Sequence, residues 1–352
     1  MQVFSKNHKT LSSYLKAVSK WIDTETKKSI PRGNSKDFLY ELMHDYPNRG
    51  GKKFRPALVF LCCELFGGNP DDALNSAIAI ELFHNFALIH DDIEDFSEVR
   101  RGEPTLHLKY GTSLAINCGD AIFGLVHETL LKNHLKISNH VGIKIHKLFN
   151  KVIRNTFEGQ ALDIGWIEKQ IFPSEKEYLE MIIKKTGFYS GSGPCQCGAI
   201  IGGASEQEIN SIGIFGESIG IGFQIRDDLL NITEENEFNP PTPGSGGYGK
   251  ERGGDILEGK RTLITIELLK RLPEKDAKLL NQILLKSRED VTEKDINWVI
   301  NSAYKTGAIK SVFDYCLNQA DLASNVLKKF KHHPAKILLE QLVDYLTLDR
   351  KA

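Results

Sequence analysis

The segment from Asn69 to Asp92, NPDDALNSAIAIELFHNFALIHDD, constrains the fold more than any other. It opens with asparagine, proline and two aspartates, the chemistry of a helix start, and then runs apolar for several turns. A strand pattern would need turn residues to break such a run. PALVFLCCELFG, stopped by Gly67-Gly68, reads the same way. So do EKEYLEMIIKKTG, EQEINSIGIFGESIGIGFQIRDDLL, residues 293–330 and HPAKILLEQLVDYLTL. Alternating strand patterns are scarce and no repeat period recurs. The expectation is an all-α, single-domain bundle of ten or more helices spanning residues 1–352. One interruption stands out. TEENEFNPPTPGSGGYGKERGG, residues 233–254, is rich in Pro and Gly and reads as a flexible loop, either a lid or a surface insertion.

Charge excludes some functions. Lys plus Arg number 45 and Asp plus Glu 46, so no global basic field points to nucleic acid or an anionic membrane. The N-terminus lacks an apolar core, and no stretch of about 20 uninterrupted apolar residues appears. No signal peptide and no transmembrane helix are expected, and the chain reads as cytoplasmic. The six cysteines have no zinc-ligand spacing and read as small buried thiols.

Electrostatic specialisation is instead local. ALIHDDIEDFSEVRRGEPT carries Asp91, Asp92, Glu94 and Asp95 just ahead of Arg100 and Arg101. The helix leading into it is mostly apolar and therefore largely buried. An acidic cluster emerging from a buried helix calls for a cation. Asp91 and Asp95 are spaced i, i+4, so their carboxylates share one face about 6 Å apart. FQIRDDLLNI echoes the pattern with Asp227 and Asp228. Oxygen donors without nearby cysteine favour Mg²⁺, which keeps positions open for water and phosphate. Basic residues suit the phosphate: Lys52, Lys53 and Arg55 in RGGKKFRPA, Lys185 before Thr186-Gly187, and Lys250 and Lys260 after the second acidic pair. Together they point to Mg²⁺-diphosphate chemistry.

The order of these pieces resembles the trans-isoprenyl diphosphate synthases, most like the archaeal-type geranylgeranyl diphosphate synthases. The resemblance covers roughly residues 35 to 345. It rests on GGKKFRP, HNFALIHDDIED, RRGEPT, GQALDI, KTG, GFQIRDDLL and GKERGGDILEGKRT. It implies an isoprenoid-synthase bundle around a central cavity. It also implies head-to-tail condensation of isopentenyl diphosphate with dimethylallyl, geranyl or farnesyl diphosphate, with two or three Mg²⁺ per site, and a homodimer. Lys52, Arg55, His84 and Arg101 match the isopentenyl diphosphate site. Asp91 and Asp95 match the first metal motif, with Asp92 in support, and Asp227 matches the metal ligand of the second. Arg100, Lys185, Thr186, Gln224, Lys250 and Lys260 match positions around the allylic diphosphate. Asp91, Asp92, Asp95, Arg100, Lys185, Asp227 and Lys250 are the implied catalytic set. One departure is Asn231, where the fuller second motif has a third Asp.

Phe86 and Ala87, five and four residues before Asp91, resemble the pattern of geranylgeranyl synthases, in which a bulky side chain floors the product tunnel. Phe83, on the same helix, is an alternative floor. A farnesyl or longer product, a class I terpene cyclase, a non-catalytic partner subunit and a metal phosphohydrolase built on His90-Asp91 are the competing readings. A cyclase needs no second diphosphate pocket, so Lys52, Arg55 and His84 speak against it. Arg100-Arg101 is unexplained in a phosphohydrolase.

Overall fold

The computed structural model describes residues 3–233 and 252–347. The fold is all-α, as the periodicity requires. The helices are α1 (Leu11–Ser29), α2 (Glu41–Asn48), α3 (Phe54–Leu65), α4 (Pro70–Glu94), α5 (Leu106–Tyr110), α6 (Thr112–Leu131), α7 (Asn139–Glu168) and α8 (Glu175–Ile182). A π-helical segment, Ile183–Ser192, leads into α9 (Gly193–Gly202) and α10 (Glu206–Ile232). Then come α11 (Gly254–Leu257), α12 (Leu263–Arg271), α13 (Glu274–Leu284), α14 (Glu293–Lys305), α15 (Ala308–Leu327) and α16 (Pro334–Thr347). α4 starts where its sequence says: the Asn69 side chain accepts from the Asp71 amide and Pro70 takes the first turn.

The chain gathers into two compact units. One comprises Met1–Ile153, Tyr189–Gly216 and Ser324–Leu342. The other comprises Arg154–Phe188, Glu217–Ala323 and Val343–Ala352.

The first unit is built on α3 and α4, and α3 is buried from Phe54 to Glu64. Its approach to α9 is close enough to require glycine. A Cβ on Gly198 would lie 2.2 Å from the Val59 carbonyl oxygen, and one on Gly202 would lie 2.6 Å from that of Cys63. Cys62, Cys63, Cys195 and Cys197 fill the remaining space as free, buried thiols. Burial pushes Cys197 up to about 12, so the thiol stays neutral. α6 packs its small and apolar face, including Ala115, Cys118, Ile122 and Val126, against α4.

With the turn after it, Thr112–Leu135 is long and apolar enough by length and composition to cross a membrane, the one such helix among the described residues. Reading only uninterrupted apolar runs passed over it, because Asn117, Asp120 and His127 break the run. Its buried share, 44%, belongs to the core of the first unit.

The second unit has its own core. Tyr178, Ile225, Leu229, Leu268, Leu280 and Val312 lie within it, contributed by α8, α10, α12, α13 and α15.

One small sheet occurs among the described residues. β1 (Val99–Arg100) and β2 (Glu103–Pro104) pair antiparallel, with Arg100 opposite Glu103. The turn residues, Arg101 and Gly102, both have positive φ, 54° and 77°. That is the geometry of a tight hairpin turn matched to strand twist. Arg49 fixes the hairpin by donating to the carbonyls of Arg100, Glu103 and Pro104 at 3.0, 3.3 and 2.8 Å.

Candidate active site

In the first unit the acidic cluster falls at the C-terminal end of α4. Carboxylates there oppose the helix dipole, so the arrangement costs stability unless cations answer it. Arg100, presented by the hairpin, answers for Asp92. Its Nε donates to both Asp92 oxygens at 2.9 and 3.2 Å, and its Nη2 donates to Oδ1. Tyr46 Oη donates to Asp92 Oδ2 at 2.5 Å. Burial works against the Arg100 charge, but the Asp92 carboxylate outweighs it and holds the guanidinium above its ordinary range. Asp92 is fully buried and saturated. Asp91 and Asp95 remain partly exposed, one helical turn apart. Arg100 lies 3.8 Å from Asp91.

The basic motif at residues 49–56 separates into different roles. Lys53 has φ 50° and turns inward, where it pairs with Glu81 at 2.9 Å and Asp23 at 3.1 Å. Lys52 is exposed. Arg55 is buried between the rings of Phe54 and Tyr189, 4.6 and 4.7 Å from their centroids. It donates to Ser190 Oγ at 3.0 and 2.8 Å and to Tyr189 Oη at 3.2 Å. Arg101 donates to the carbonyl oxygens of Gly50 and Tyr46. Its guanidinium lies 3.1 Å from where a Gly51 Cβ would sit, which accounts for glycine there. His84 is half-buried, and its buried Nδ1 has no hydrogen-bond partner among the described residues. Burial, with the charges of Arg55, Arg101, Lys53 and Arg100, holds its pKa well below the ordinary value. A neutral imidazole among cations suits an anion.

Phe86 is 6% exposed, Phe83 is fully buried and Ala87 is partly exposed. The two phenylalanine rings touch at a centroid distance of 5.6 Å.

In the second unit one cavity gathers Lys185, Thr186, Gln224, Asp227 and Lys260, all named from the sequence. Asp163, Tyr178, Asp228 and Asp255 line it too. Lys185 and Thr186 sit in the π-helical segment, a wider coil that often marks functional positions. Lys185 pairs with Asp163 at 2.6 Å. A Cβ on Gly159 would lie 2.2 Å from the Lys185 amide, so the glycine of GQALDI lets α7 bring Asp163 within reach. Thr186 donates to Gln224 Oε1 at 2.9 Å, and Gln224 Nε2 donates to Asp228 Oδ1 at 2.9 Å. Tyr178 Oη donates to Asp228 Oδ2 at 2.6 Å. Burial raises the Asp228 pKa to about 6, with the neighbouring Asp227 charge adding to it. Those hydrogen bonds and Lys260 only partly offset the rise. Asp227 is partly exposed. Lys260 pairs with Glu258 at 2.7 Å.

Asn231 takes no part in lining the cavity. It is 1% exposed, and its Oδ1 accepts from the Asp255 amide at 3.1 Å, holding the segment that carries Asp255. Lys250, and the 233–254 loop apart from its ends, lie outside the described residues.

The donor set fits Mg²⁺. Asp91 lies beside Arg100, Asp227 lines a cavity with Lys185 and Lys260, and Asp95, one turn from Asp91, is partly exposed. Among the described residues no three His, Cys, Asp or Glu side chains converge as a closed cage. Magnesium is bound by one or two carboxylates with water and substrate phosphate completing its shell, so a cage is not required.

Sequence reading passed over Tyr46, Tyr178, Tyr189 and Ser190, which hold the acidic pairs and Arg55. No local signal marks them. Asp163 was within reach, because GQALDI carries the resemblance, but no role attached to it.

Comparison with known proteins agrees with this geometry. The polyprenyl synthetase family profile matches residues 36–303. A short chain isoprenyl diphosphate synthase of Methanothermobacter thermautotrophicus is 36% identical over 94% of this chain and 96% of its own. A geranylgeranyl diphosphate synthase of Methanosarcina mazei is 32% identical over 96% and 97%. Geranylgeranyl pyrophosphate synthetase from Pyrococcus horikoshii superposes with a TM-score of 0.84 at 32% identity, covering 96% of this chain and 98% of that one. With both acidic pairs and the basic motifs in the matched span, the chain belongs to the polyprenyl synthetase family and is a prenyltransferase.

Proposed function

We propose that the chain is a Mg²⁺-dependent head-to-tail prenyltransferase. It adds isopentenyl diphosphate to dimethylallyl, geranyl and farnesyl diphosphates and stops at geranylgeranyl diphosphate. One observation carries the reading. In each acidic pair, one aspartate is anchored inside the fold and its neighbour is left partly exposed beside cations. Exposed carboxylates next to Arg and Lys suit a metal-diphosphate, not a free anion or a free cation. The names of the relatives from Methanosarcina mazei and Pyrococcus horikoshii support the product.

Asp91 and Asp95 from one cluster and Asp227 from the other would hold Mg²⁺, which when bound offsets the charge of the departing diphosphate. Lys185 and Lys260, with Lys250, donate to the oxygens of the allylic diphosphate. Thr186 and Gln224 fix the wall beside it. Lys52, Arg55, Arg101 and His84 hold isopentenyl diphosphate, and the interior Arg55–Tyr189–Ser190 contact keeps the guanidinium from swinging away. Cleavage of the allylic C–O bond leaves a carbocation. The isopentenyl double bond attacks it, and the released diphosphate takes the lost proton. The arginine and histidine set separates this reading from a terpene cyclase, which has no second diphosphate to bind.

A homodimer in the cytoplasm completes the proposal. Leu108, Ile116, Leu131, Leu135 and Ile143, on or beside α5–α7, are large and exposed. Exposed apolar side chains such as these would gain from burial against a second copy.

Incubating the purified chain with isopentenyl diphosphate, dimethylallyl diphosphate and Mg²⁺, followed by product chromatography, tests the reading. Geranylgeranyl diphosphate as the main product supports it. No condensation, or release of a cyclised hydrocarbon, contradicts it.

A further inference from the structure

Lys52 and Lys53 are adjacent, yet Lys52 is exposed and Lys53 is buried. The Lys53 backbone is left-handed, with φ 50°, a conformation unfavourable for a residue that carries a Cβ. A buried ammonium on a strained backbone persists only where its surroundings hold it. Here they do. The ammonium pairs with Glu81 of α4 at 2.9 Å and with Asp23 of α1 at 3.1 Å, and it donates to the Gly50 carbonyl oxygen at 3.4 Å. Arg101 donates to that same carbonyl. One residue on, the Gly51 carbonyl oxygen accepts from Ser19 Oγ of α1 at 3.1 Å, and the hydroxyl also lies 3.2 Å from Asp23 Oδ2. α1 is itself fixed to the core. Trp21 stacks on Phe60 of α3 at 5.1 Å, and Val18 and Ile22 are fully buried.

We infer that Asp23 and Ser19 of α1, acting through Lys53 and the Gly50-Gly51 backbone, are positioning residues for the isopentenyl diphosphate site. This rests on the prenyltransferase reading above, which gives Lys52 and Arg101 to that diphosphate. Gly50 and Gly51 have φ 79° and 133°, so the segment ahead of Lys52 has no stiffness of its own. Lys53 supplies it by tying the loop to α1 on one side and to α4 on the other. Lys52 then projects from a fixed backbone, and the fixed Gly50 carbonyl sets the Arg101 guanidinium. Cations placed in advance bind a diphosphate without first giving up freedom. Asn85 steadies the far end of the tie, donating to the Glu81 carbonyl oxygen at 2.7 Å and to its Oε1 at 3.4 Å. α1 ends at Ser29, ahead of the span that carries the family match, so the motifs of that span do not reveal its part. An ion pair that served the fold alone would be replaceable by apolar groups with no effect on either substrate.

Steady-state kinetics with Mg²⁺ separates the two roles. KM for isopentenyl diphosphate and KM for dimethylallyl diphosphate are each measured with the other substrate saturating, and melting temperature is measured alongside. Lys53→Met should raise KM for isopentenyl diphosphate about tenfold, as the loss of one charge-assisted contact would, and leave KM for dimethylallyl diphosphate within about twofold. Lys53→Met with Glu81→Leu removes the carboxylate left buried, so melting temperature should recover while the raised KM persists. Asp23→Asn and Ser19→Ala alter partly exposed side chains of α1 and should raise the same KM by a smaller factor. They keep the inference falsifiable if the Lys53 variants do not fold. Lys16→Ala, exposed on the same helix, should change neither constant. A Lys53→Met, Glu81→Leu variant with the wild-type KM for isopentenyl diphosphate overturns the inference. So does Asp23→Asn with unchanged constants, or with both constants raised alike. A wild type that condenses no isopentenyl diphosphate overturns the underlying reading, and this inference with it.

Discussion

Asp91-Asp92 near the end of α4 and Asp227-Asp228 near the end of α10 solve one problem with different partners. In both, the second aspartate turns inward and accepts a tyrosine hydroxyl, from Tyr46 at 2.5 Å and from Tyr178 at 2.6 Å. In both, the first aspartate stays partly exposed. The further donor differs. Asp92 has the guanidinium of Arg100, a full counter-charge in bidentate contact. Asp228 has the neutral amide of Gln224. The Asp228 pKa rises to about 6 as burial prevails over these donors. The Arg100 guanidinium is held firmly charged. The contrast teaches that the inner aspartate is a structural anchor in each pair, secured by a contact ion pair in one unit and by neutral hydrogen bonds, with the Lys260 charge acting through space, in the other.

The largest test of that contrast removes the ion pair. Arg100→Met leaves Asp92 buried beside a single hydroxyl and should lower folding stability by about 3–5 kcal/mol. Urea unfolding measures it, and Arg100→Met with Asp92→Leu should recover most of the loss. A loss under about 1 kcal/mol would show that the pair is not the anchor. A smaller effect separates the tyrosines. Tyr178→Phe should cost about 3 kcal/mol, the upper end for a hydrogen bond to a charged group, because the donors to Asp228 are neutral and Lys260 acts on it only through space. Tyr46→Phe should cost about half as much, since Arg100 remains. Equal losses would erase the difference drawn between the pairs.

The smallest effect concerns pH and the imidazole beside Arg100. His84 resists protonation in the folded state, so the unfolded chain binds the extra proton. Stability is therefore full above the ordinary histidine pKa of about 6.5 and falls as pH drops below it. His84→Asn should flatten the decline in melting temperature between pH 7 and 5. An unchanged slope would mean that other groups cause it.

The long elements and the exposed chemistry were legible in the sequence because both are local. Helix starts, apolar runs and the i, i+4 spacing of Asp91 and Asp95 are written within a few turns. Tyr46 and Tyr178 stand 46 and 50 residues from the aspartates they hold, so nothing local announces them. Lys52 and Lys53 look alike, and only the left-handed backbone at Lys53 sends one inward and leaves the other exposed. The hairpin at Val99–Pro104 escapes a strand pattern because each strand has two residues. Asn231 stands where the fuller second motif has a third Asp, and its Oδ1 accepts from the backbone amide of Asp255, a contact 24 residues away that nothing local announces.

The division of labour within each pair is the central claim. It is tested most directly by measuring turnover and melting temperature together for Asp91→Asn, Asp92→Asn, Asp227→Asn and Asp228→Asn. The account predicts that Asp91→Asn and Asp227→Asn keep the wild-type melting temperature and lose turnover by at least about a thousandfold, the several kcal/mol typical of metal-assisted charge stabilisation. It predicts that Asp92→Asn and Asp228→Asn lose melting temperature, with a smaller loss of turnover in the fraction that stays folded. Asp91→Asn or Asp227→Asn with near-normal turnover, or Asp92→Asn and Asp228→Asn as stable as the wild type, would contradict it.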